Sequence, residues 1–397
     1  MEAIFSRLGL AAAGIAALVL VLCLDVWLTP DRGFGDEPSS SVFDMYLVTS
    51  DGRPVSDVRW GVPLALSPTT VYANLPERKT SGYDINSLGL RGPEVQRVPQ
   101  GPRVISVGGS TAFGMLVEYG DVYSSLLGRV MGVEVLNAGV IGFLSTQELG
   151  LVVSHLIDLA PNLIVVLDGW NDLYDAYWWE RFGDGRDPRP GTNVNFHFME
   201  NRLVDLHAVE TSVPASVAQA ARTLVRKSTL LSGIARLLRR ERPAREPPGP
   251  ASPWMDAIVD GYVRNIVKLR DFSGTRGAEL LLVLQPEIGQ LLPEPTLRSL
   301  AGDFNPHFFN GDEYWAHVPA LYREFRKRAS KDLQAQGVEL IDASSAFRRY
   351  PDVRELFQDP VHLSARGHEL LAALVRVPAE KLLSGRAMVR NSVSARE

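Results

Sequence analysis

Residues 163–168 read Leu-Ile-Val-Val-Leu-Asp, an unbroken apolar run that ends on a carboxylate. A run of this length is typical of a strand buried on both faces, as in a parallel sheet covered by helices. Similar runs occur at residues 103–107, 133–136, 279–284 and 338–341. Helical patterns separate these runs, for example around residues 147–159. The alternation predicts an α/β fold in which helices cover both faces of a parallel sheet.

The composition is that of an ordinary globular protein. The chain has 397 residues, of which 45% are hydrophobic and 22% charged, enough for one large core or two modest ones. A formal net charge of −5 gives no electrostatic footprint for nucleic acid. Cys23 is the single cysteine, so the sequence excludes an internal disulfide and a cysteine metal site.

The first thirty residues differ from the rest of the chain. Residues 8–24 carry no charge, and the apolar character continues past Asp25 to Leu28. This stretch approaches the ~20 residues that a helix needs to cross a bilayer. Arg7 precedes it, acidic residues follow it, and no small-x-small cleavage site is present. We expect residues 1–30 to be an uncleaved transmembrane anchor with a cytoplasmic amino terminus; a cleaved signal peptide and a soluble core helix are the alternatives.

The remaining chain divides by composition. Residues 31–99 predict a flexible linker followed by a preface of short strands and turns. Residues 100–376 hold the main α/β pattern, interrupted at about 174–277 by a long insertion that is aromatic, then basic, then proline-rich. We expect the insertion to form a lid or docking face. Its basic run could contact anionic lipid or a partner, although a solvated helix face is the preferred interpretation. Residues 377–397 form a C-terminal tail.

Polar residues follow successive predicted strands, at the sheet edge where active residues of parallel sheets lie. Ser110 follows the first strand, Gly142 the second and Asn171 the third, while Asp359 and His362 stand three positions apart near the carboxyl end. A serine is a poor nucleophile unless an imidazole takes its proton and a carboxylate orients that imidazole. The short spacing lets Asp359 reach Nδ1 and leaves Nε2 for Ser110.

An acyl-transfer site also needs donors for an oxyanion. The Ser110 and Gly142 backbone N–H groups and the Asn171 amide are the candidates. Each residue alone has an ordinary interpretation: Ser110 on a strand-to-helix turn, His362 as a helix cap, Gly142 in a turn and Asn171 as a loop residue. Their joint placement beyond successive strands favours chemistry.

Competing motifs fail. A P-loop needs Lys after Gly114, where Met115 stands, and the nucleophile elbow of α/β-hydrolases needs glycine where Ala112 stands. Gly108, Gly109 and Gly114 do not form a dinucleotide fingerprint, and no cluster of His, Asp and Glu has metal-ligand spacing. We therefore expect neither a cofactor nor a metal.

The motif order is similar to that of a known family. Gly-x-Ser, Asn-Ala-x-x-x-Gly, Gly-x-Asn-Asp and then Asp-x-x-His with Leu-Ser-Ala-x-Gly-His resemble the SGNH (GDSL-type) hydrolase superfamily. The resemblance covers approximately Asn86 to Leu374, because residues 86–94 (NSLGLRGPE) also resemble the preface of its bacterial, membrane-anchored members. One departure is Gly109, which stands where the family name implies aspartate.

The resemblance implies a flavodoxin-like three-layer α/β/α sandwich and ester hydrolysis. It implies that Ser110 is the nucleophile, that His362 is the base and that Asp359 orients the base. It also implies that Ser110, Gly142 and Asn171 form the oxyanion hole.

From these residues we expect a membrane-tethered serine esterase outside the cytoplasm. The expected substrate is an O-acyl ester, with O-acetyl preferred, of a cell-envelope carbohydrate or lipid. One alternative is an O-acyltransferase that acts on an exported polysaccharide, since the same site serves water or a sugar hydroxyl as acceptor. The other is a non-catalytic SGNH-like binding module. The aromatic residues at 174–179 could stack on a sugar, wall an acyl pocket or form a bed for the lid.

Overall fold

A computed structural model describes residues 64–79, 83–182, 245–292 and 311–394. The predicted anchor at residues 1–30, the linker and the middle of the predicted insertion lie outside these residues. Among the residues that are described, none of the helices combines the length and the apolar character needed to cross a membrane.

Short antiparallel strands form the preface. Strand β1 (Leu64–Ser67) pairs with β2 (Val71–Asn74) in a hairpin, and β3 (Arg78–Lys79) pairs with β4 (Asp84–Ile85). Arg91 then joins this region to the main sheet through a bridge to Asn137. The strands and turns expected in the preface are therefore present.

The strands of the main sheet are β5 (Arg103–Gly108), β6 (Glu134–Asn137), β7 (Leu163–Asp168), β8 (Glu279–Leu284) and β9 (Leu340–Asp342). All five are parallel, in the order β6-β5-β7-β8-β9. This order, with the first strand between the second and the third, is flavodoxin-like. It confirms the predicted parallel α/β fold.

Strand β9 begins two residues later than the sequence pattern predicts. The Val338 N–H donates to the Leu333 carbonyl at 3.0 Å, and Gly337 has a φ of 75°. This left-handed glycine closes the preceding helix and draws Val338 into the helix end. The apolar pattern at residues 338–341 therefore combines the end of a helix with the start of a strand.

The helices are α1 (Ser110–Phe113), α2 (Tyr123–Met131), α3 (Ser145–Ser154), α4 (Trp170–Phe182), α5 (Pro253–Thr275), α6 (Gly311–Ala335), α7 (Ala343–Phe347) and α8 (Ala365–Ser394). Two groups of them cover the sheet. The first group (α2, α7, α8) shares a buried cluster with Val104, Val165 and Leu281, which lie on one face of the sheet. The second group (α3, α4, α5, α6) packs together and contacts the strands. Every residue of β5 and β7 is buried, as expected for strands covered on both faces.

Both ends of the predicted insertion belong to the second helix group. Helix α4 continues to Phe182, and α5 begins at Pro253, where the Ser252 hydroxyl caps its first turn. Helix α8 likewise continues into the residues predicted as a tail, because Val375 and Ala379 on one of its faces are buried in the core.

Candidate active site

Ser110 is the first residue of α1, directly after the turn that ends β5. The turn depends on Gly108, which has a φ of 151°. A Cβ on Gly108 would lie 2.3 Å from the Leu167 carbonyl oxygen, so a side chain would collide with the neighbouring strand β7. Glycine therefore permits the chain to turn sharply and to present Ser110 at the carboxyl edge of the sheet.

The structure brings Ser110, His362 and Asp359 together. His362 Nε2 lies 2.8 Å from Ser110 Oγ, and His362 Nδ1 lies 2.5 Å from Asp359 Oδ2. When Nδ1 carries the proton and donates a hydrogen bond to Asp359, Nε2 accepts a hydrogen bond from the serine hydroxyl. This is the hydrogen-bond chain of a nucleophile, a base and an orienting carboxylate.

The carboxylate of Asp359 is buried and accepts hydrogen bonds from several protein N–H groups. Its Oδ1 accepts from the backbone N–H groups of Val361 at 2.9 Å and His362 at 2.8 Å. Burial alone would raise the pKa of Asp359, but His362 and these N–H donors outweigh it, and the net effect lowers the pKa. Asp359 is therefore ionised at neutral pH and can hold the proton on Nδ1.

Two side chains that the sequence did not single out fix the loop that carries His362. The Val361 carbonyl accepts from Thr111 Oγ1 and from Gln285 Nε2, each at 3.2 Å. Thr111 follows Ser110 in α1, and Gln285 directly follows β8. From sequence, Thr111 could have been found only because it follows Ser110, and Gln285 only because it follows a predicted strand.

Asn171 lies beside the serine turn. A Cβ on Gly109 would stand 2.4 Å from Asn171 Nδ2, so the missing side chain leaves the space that the amide occupies. Asn171 Nδ2 donates to the Phe143 carbonyl at 2.7 Å. The same amide nitrogen has a second N–H donor.

Gly142 is in the loop that follows β6 and has a φ of 72°. The loop runs along the end of β5, because the N–H groups of Ala138 and Val140 donate to the carbonyls of Ser106 and Gly108 at 2.8 and 3.0 Å. Through Phe143, the next residue, the loop also contacts Asn171. The loop that carries Gly142 and the start of α4 are thus assembled around the serine turn.

A half-buried carboxylate joins the start of α3, after the Gly142 loop, to the start of α4. Asp172 accepts from the backbone N–H of Ser145 at 3.0 Å and from its hydroxyl at 2.5 Å. Burial raises the pKa of Asp172 to about 6. Burial and neighbouring negative charge also raise the pKa values of Glu148 and Asp168. Within the described ranges, no group of three or more His, Cys, Asp or Glu side chains is arranged to hold a metal ion.

The aromatic residues after Asn171 pack between helices. Trp170 stacks on Tyr174 with ring centroids 4.2 Å apart, and Tyr174 meets Tyr314 of α6 edge-on at 6.2 Å. The Tyr177 hydroxyl donates to Glu313 of the same helix. These contacts correspond to hydrophobic packing between α4 and α6.

No protein-family model matches the chain, and no curated protein matches it either. Solved structures do match. A lipolytic protein of the G-D-S-L family from Desulfitobacterium hafniense is 10% identical with a TM-score of 0.38, and the match covers 70% of this chain and 98% of that chain. A lipase/acylhydrolase from Enterococcus faecalis is 15% identical with a TM-score of 0.37, covering 70% of this chain and 94% of that chain.

An acetylxylan esterase from Geobacillus stearothermophilus is 13% identical with a TM-score of 0.37, covering 70% of this chain and 94% of that chain. In its motif order, and in the hydrogen-bond chain that joins Ser110, His362 and Asp359, this chain is similar to the SGNH hydrolases.

Proposed function

We propose that this protein is a serine ester hydrolase that works through an acyl-enzyme. The observation that carries the proposal is the continuous chain from Ser110 Oγ through His362 to Asp359, with separations of 2.8 and 2.5 Å. Hydrogen-bond contact in the free protein means that the base already lies within reach of the proton that it must remove.

The reaction takes two balanced halves. Ser110 Oγ attacks the ester carbonyl carbon while His362 Nε2 takes the hydroxyl proton; the C–O bond to the alcohol then breaks, and His362 returns the proton to that alcohol. In the second half, water attacks the carbonyl carbon of the acyl-enzyme while His362 Nε2 takes a proton from the water. The C–O bond to Ser110 then breaks, His362 returns the proton to Ser110 Oγ, and the acid is released. The Ser110 N–H, the Gly142 N–H and the Asn171 amide are the proposed donors to the oxyanion that forms in each half.

The test is labelling and turnover. An alkyl fluorophosphonate should add once to the wild-type protein, at Ser110, and a short-chain aryl ester should be hydrolysed. Ser110→Ala should lose both activities. Ser273→Ala is the matched control, since Ser273 is a buried serine on α5 whose hydroxyl has no partner among the described residues. Near-wild-type hydrolysis by Ser110→Ala would refute the proposal.

We further propose that the esterase is tethered to a membrane and acts outside the cytoplasm. The support is the uncharged run at residues 8–24, preceded by Arg7 and followed by acidic residues. Deletion of the residues before about Asp31 should release a soluble and active protein from membranes. A truncated chain that stays in the membrane fraction would place a membrane contact elsewhere, with the basic part of residues 174–277 as the next segment to delete.

The proposed substrate is an O-acyl ester, with O-acetyl preferred, of a cell-envelope carbohydrate or lipid. The support is the proposed location together with a nucleophile suited to acyl esters. Incubation with an acetyl ester and a glycan separates hydrolysis from transfer: free acetate supports hydrolysis, and glycan-bound acetate would identify an acyltransferase. A folded protein that turns over no ester and takes no label would instead be a binding module.

A further inference from the structure

The preface hairpin holds the loop that carries Gly142. Tyr72 of β2 donates its hydroxyl to the Ile141 carbonyl at 3.1 Å, and Asn74 Nδ2 donates to the Gly139 carbonyl at 3.0 Å. Both side chains are buried, with 1% and 3% of their surface exposed. The hairpin is also bonded to α3, because Gln147 Nε2 donates to the Thr70 carbonyl at 2.9 Å.

The contact at Ile141 bears directly on Gly142. The Ile141 carbonyl and the Gly142 N–H are opposite ends of one peptide unit, which is planar and trans. Fixing the direction of the carbonyl therefore fixes the direction of the N–H. A hydrogen bond to the carbonyl also polarises the amide, so that the N–H becomes a better donor. Gly142 has a φ of 72°, in the left-handed region that glycine adopts without strain.

The tyrosine itself is firmly placed. Its ring meets Phe143 edge-on, with centroids 5.4 Å apart and an angle of 69° between the planes. Burial raises the pKa of Tyr72 well above its ordinary value, so the hydroxyl keeps its proton and acts as a donor at any working pH. Tyr72 thus contacts the residues on both sides of Gly142.

We propose that Tyr72 is a positioning residue that sets and polarises the Gly142 N–H for an oxyanion at Ser110. This inference rests on the proposed esterase function and extends it to the preface. Tyr72 lies before Asn86, outside the region that resembles the hydrolase family. The β1–β2 hairpin would therefore contribute to catalysis although the family motifs do not cover it.

Tyr72→Phe tests the proposal because it removes the hydroxyl and keeps the ring. We expect kcat for a short-chain aryl ester to fall roughly tenfold with KM little changed, less than the ~10²–10³ that loss of a whole oxyanion donor costs. Tyr123→Phe is the matched control: this tyrosine is equally buried, and its hydroxyl lies 2.5 Å from Ser106 Oγ instead. The control should keep the wild-type kcat.

A second measurement separates positioning from general loosening. A boronic acid that forms a tetrahedral adduct on Ser110 should bind Tyr72→Phe more weakly by the same factor as the fall in kcat/KM. Tyr72→Phe and Tyr123→Phe should unfold with similar thermal midpoints, so that only the position of the lost hydroxyl differs between them. Replacement of Tyr72 by 4-aminophenylalanine, which restores a donor at the same place, should recover activity toward the wild-type value.

The possible results separate the positioning role of Tyr72 from the proposed esterase activity. If wild type hydrolyses the ester and Tyr72→Phe keeps kcat within twofold, or changes KM alone, the positioning role is wrong while the esterase stands. If wild type takes no fluorophosphonate label and hydrolyses no ester, the proposed function fails first. A Tyr72→Phe variant that does not fold leaves the 4-aminophenylalanine variant to decide: wild-type folding with low kcat would contradict the donor role.

Discussion

Gly109 shows how a single missing side chain can shape the site. It precedes Ser110, and a Cβ at this position would stand 2.4 Å from Asn171 Nδ2. Asn171 in turn donates to the Phe143 carbonyl at 2.7 Å. The amide therefore has little freedom to move aside, because retreat would break the bond that joins α4 to the Gly142 loop.

Gly109→Ala should lower kcat by about 10-fold or more, up to the ~10²–10³ cost of a lost oxyanion donor. The added methyl displaces the Asn171 amide, while the backbone at Gly109, with φ of −79°, accepts alanine without strain. Steady-state kinetics on an aryl ester measure the effect. Gly274→Ala, in α5 where a Cβ meets nothing within 4 Å, is the control. Equal kcat for the two variants would contradict a tight contact between residue 109 and Asn171.

For single residues, the sequence predicted which ones form the site but not which contacts they make with one another. Ser110, Gly142 and Asn171 could be predicted because each lies just past an apolar strand, and parallel strands end at one edge. The departure at Gly109 had no physical reason until β5 and β7 were paired, since Gly109 and Asn171 are 62 positions apart. Contacts of this kind depend on strand register, which residue patterns do not specify.

The loop at residues 359–362 is held by hydrogen bonds from two other elements. Thr111 of α1 and Gln285 beyond β8 both donate to the Val361 carbonyl. The Ile288 N–H donates to the Pro360 carbonyl at 2.9 Å. The imidazole of His362 is therefore placed by the nucleophile helix itself and by the neighbouring strand end.

Thr111→Val should lower kcat about fivefold with little change in KM. Valine keeps the shape and removes one hydrogen bond worth ~1 kcal/mol, so His362 is held less firmly against Ser110. Thr111→Ser should restore the rate, because it restores the hydroxyl. The rate of inactivation by a fluorophosphonate, which reports His362-assisted attack by Ser110, should follow kcat.

Thr275→Val serves as the control, since it removes a local bond to Phe272 at the end of α5. Wild-type inactivation and turnover by Thr111→Val would show that His362 is held without the Thr111 hydrogen bond. The sequence could predict the Asp-x-x-His turn from its spacing. It could not predict Thr111 or Gln285, because their bonds form only when α1, β8 and the loop converge.

At the scale of the molecule, the preface and the main sheet belong to one compact unit. Arg91 is 2% exposed, and its guanidinium donates to the Phe113 and Gly114 carbonyls, each at 2.6 Å, at the end of α1. Burial lowers the pKa of Arg91 to about 10, which still leaves it charged at neutral pH. The family resemblance located residues 86–94, but their role as a clamp on the nucleophile helix follows only from the structure.

Buried acids make the stability of the whole molecule depend on pH. Asp172 lies near Asp168 and Glu148, and burial raises its pKa to about 6 from an ordinary 3.8. Between these values the folded protein keeps a proton that the unfolded chain has released. The stability that protonated Asp172 contributes should therefore fall as pH rises from about 4 to about 6, and it should be lost above pH 6.

Asp172→Asn should remove this pH dependence while keeping the link to Ser145, because an amide can accept from the Ser145 N–H and donate to its hydroxyl. Urea unfolding of both proteins from pH 4 to pH 7 measures the difference. We expect the variant to gain about 1–2 kcal/mol relative to wild type over that range, a moderate figure because solvent reaches part of the Asp172 side chain. His368, whose pKa burial lowers to about 3, acts in the opposite direction but equally in both proteins. A difference that stays constant with pH would mean that Asp172 is ionised throughout the range, and that its bonds to Ser145 outweigh the cost of burial.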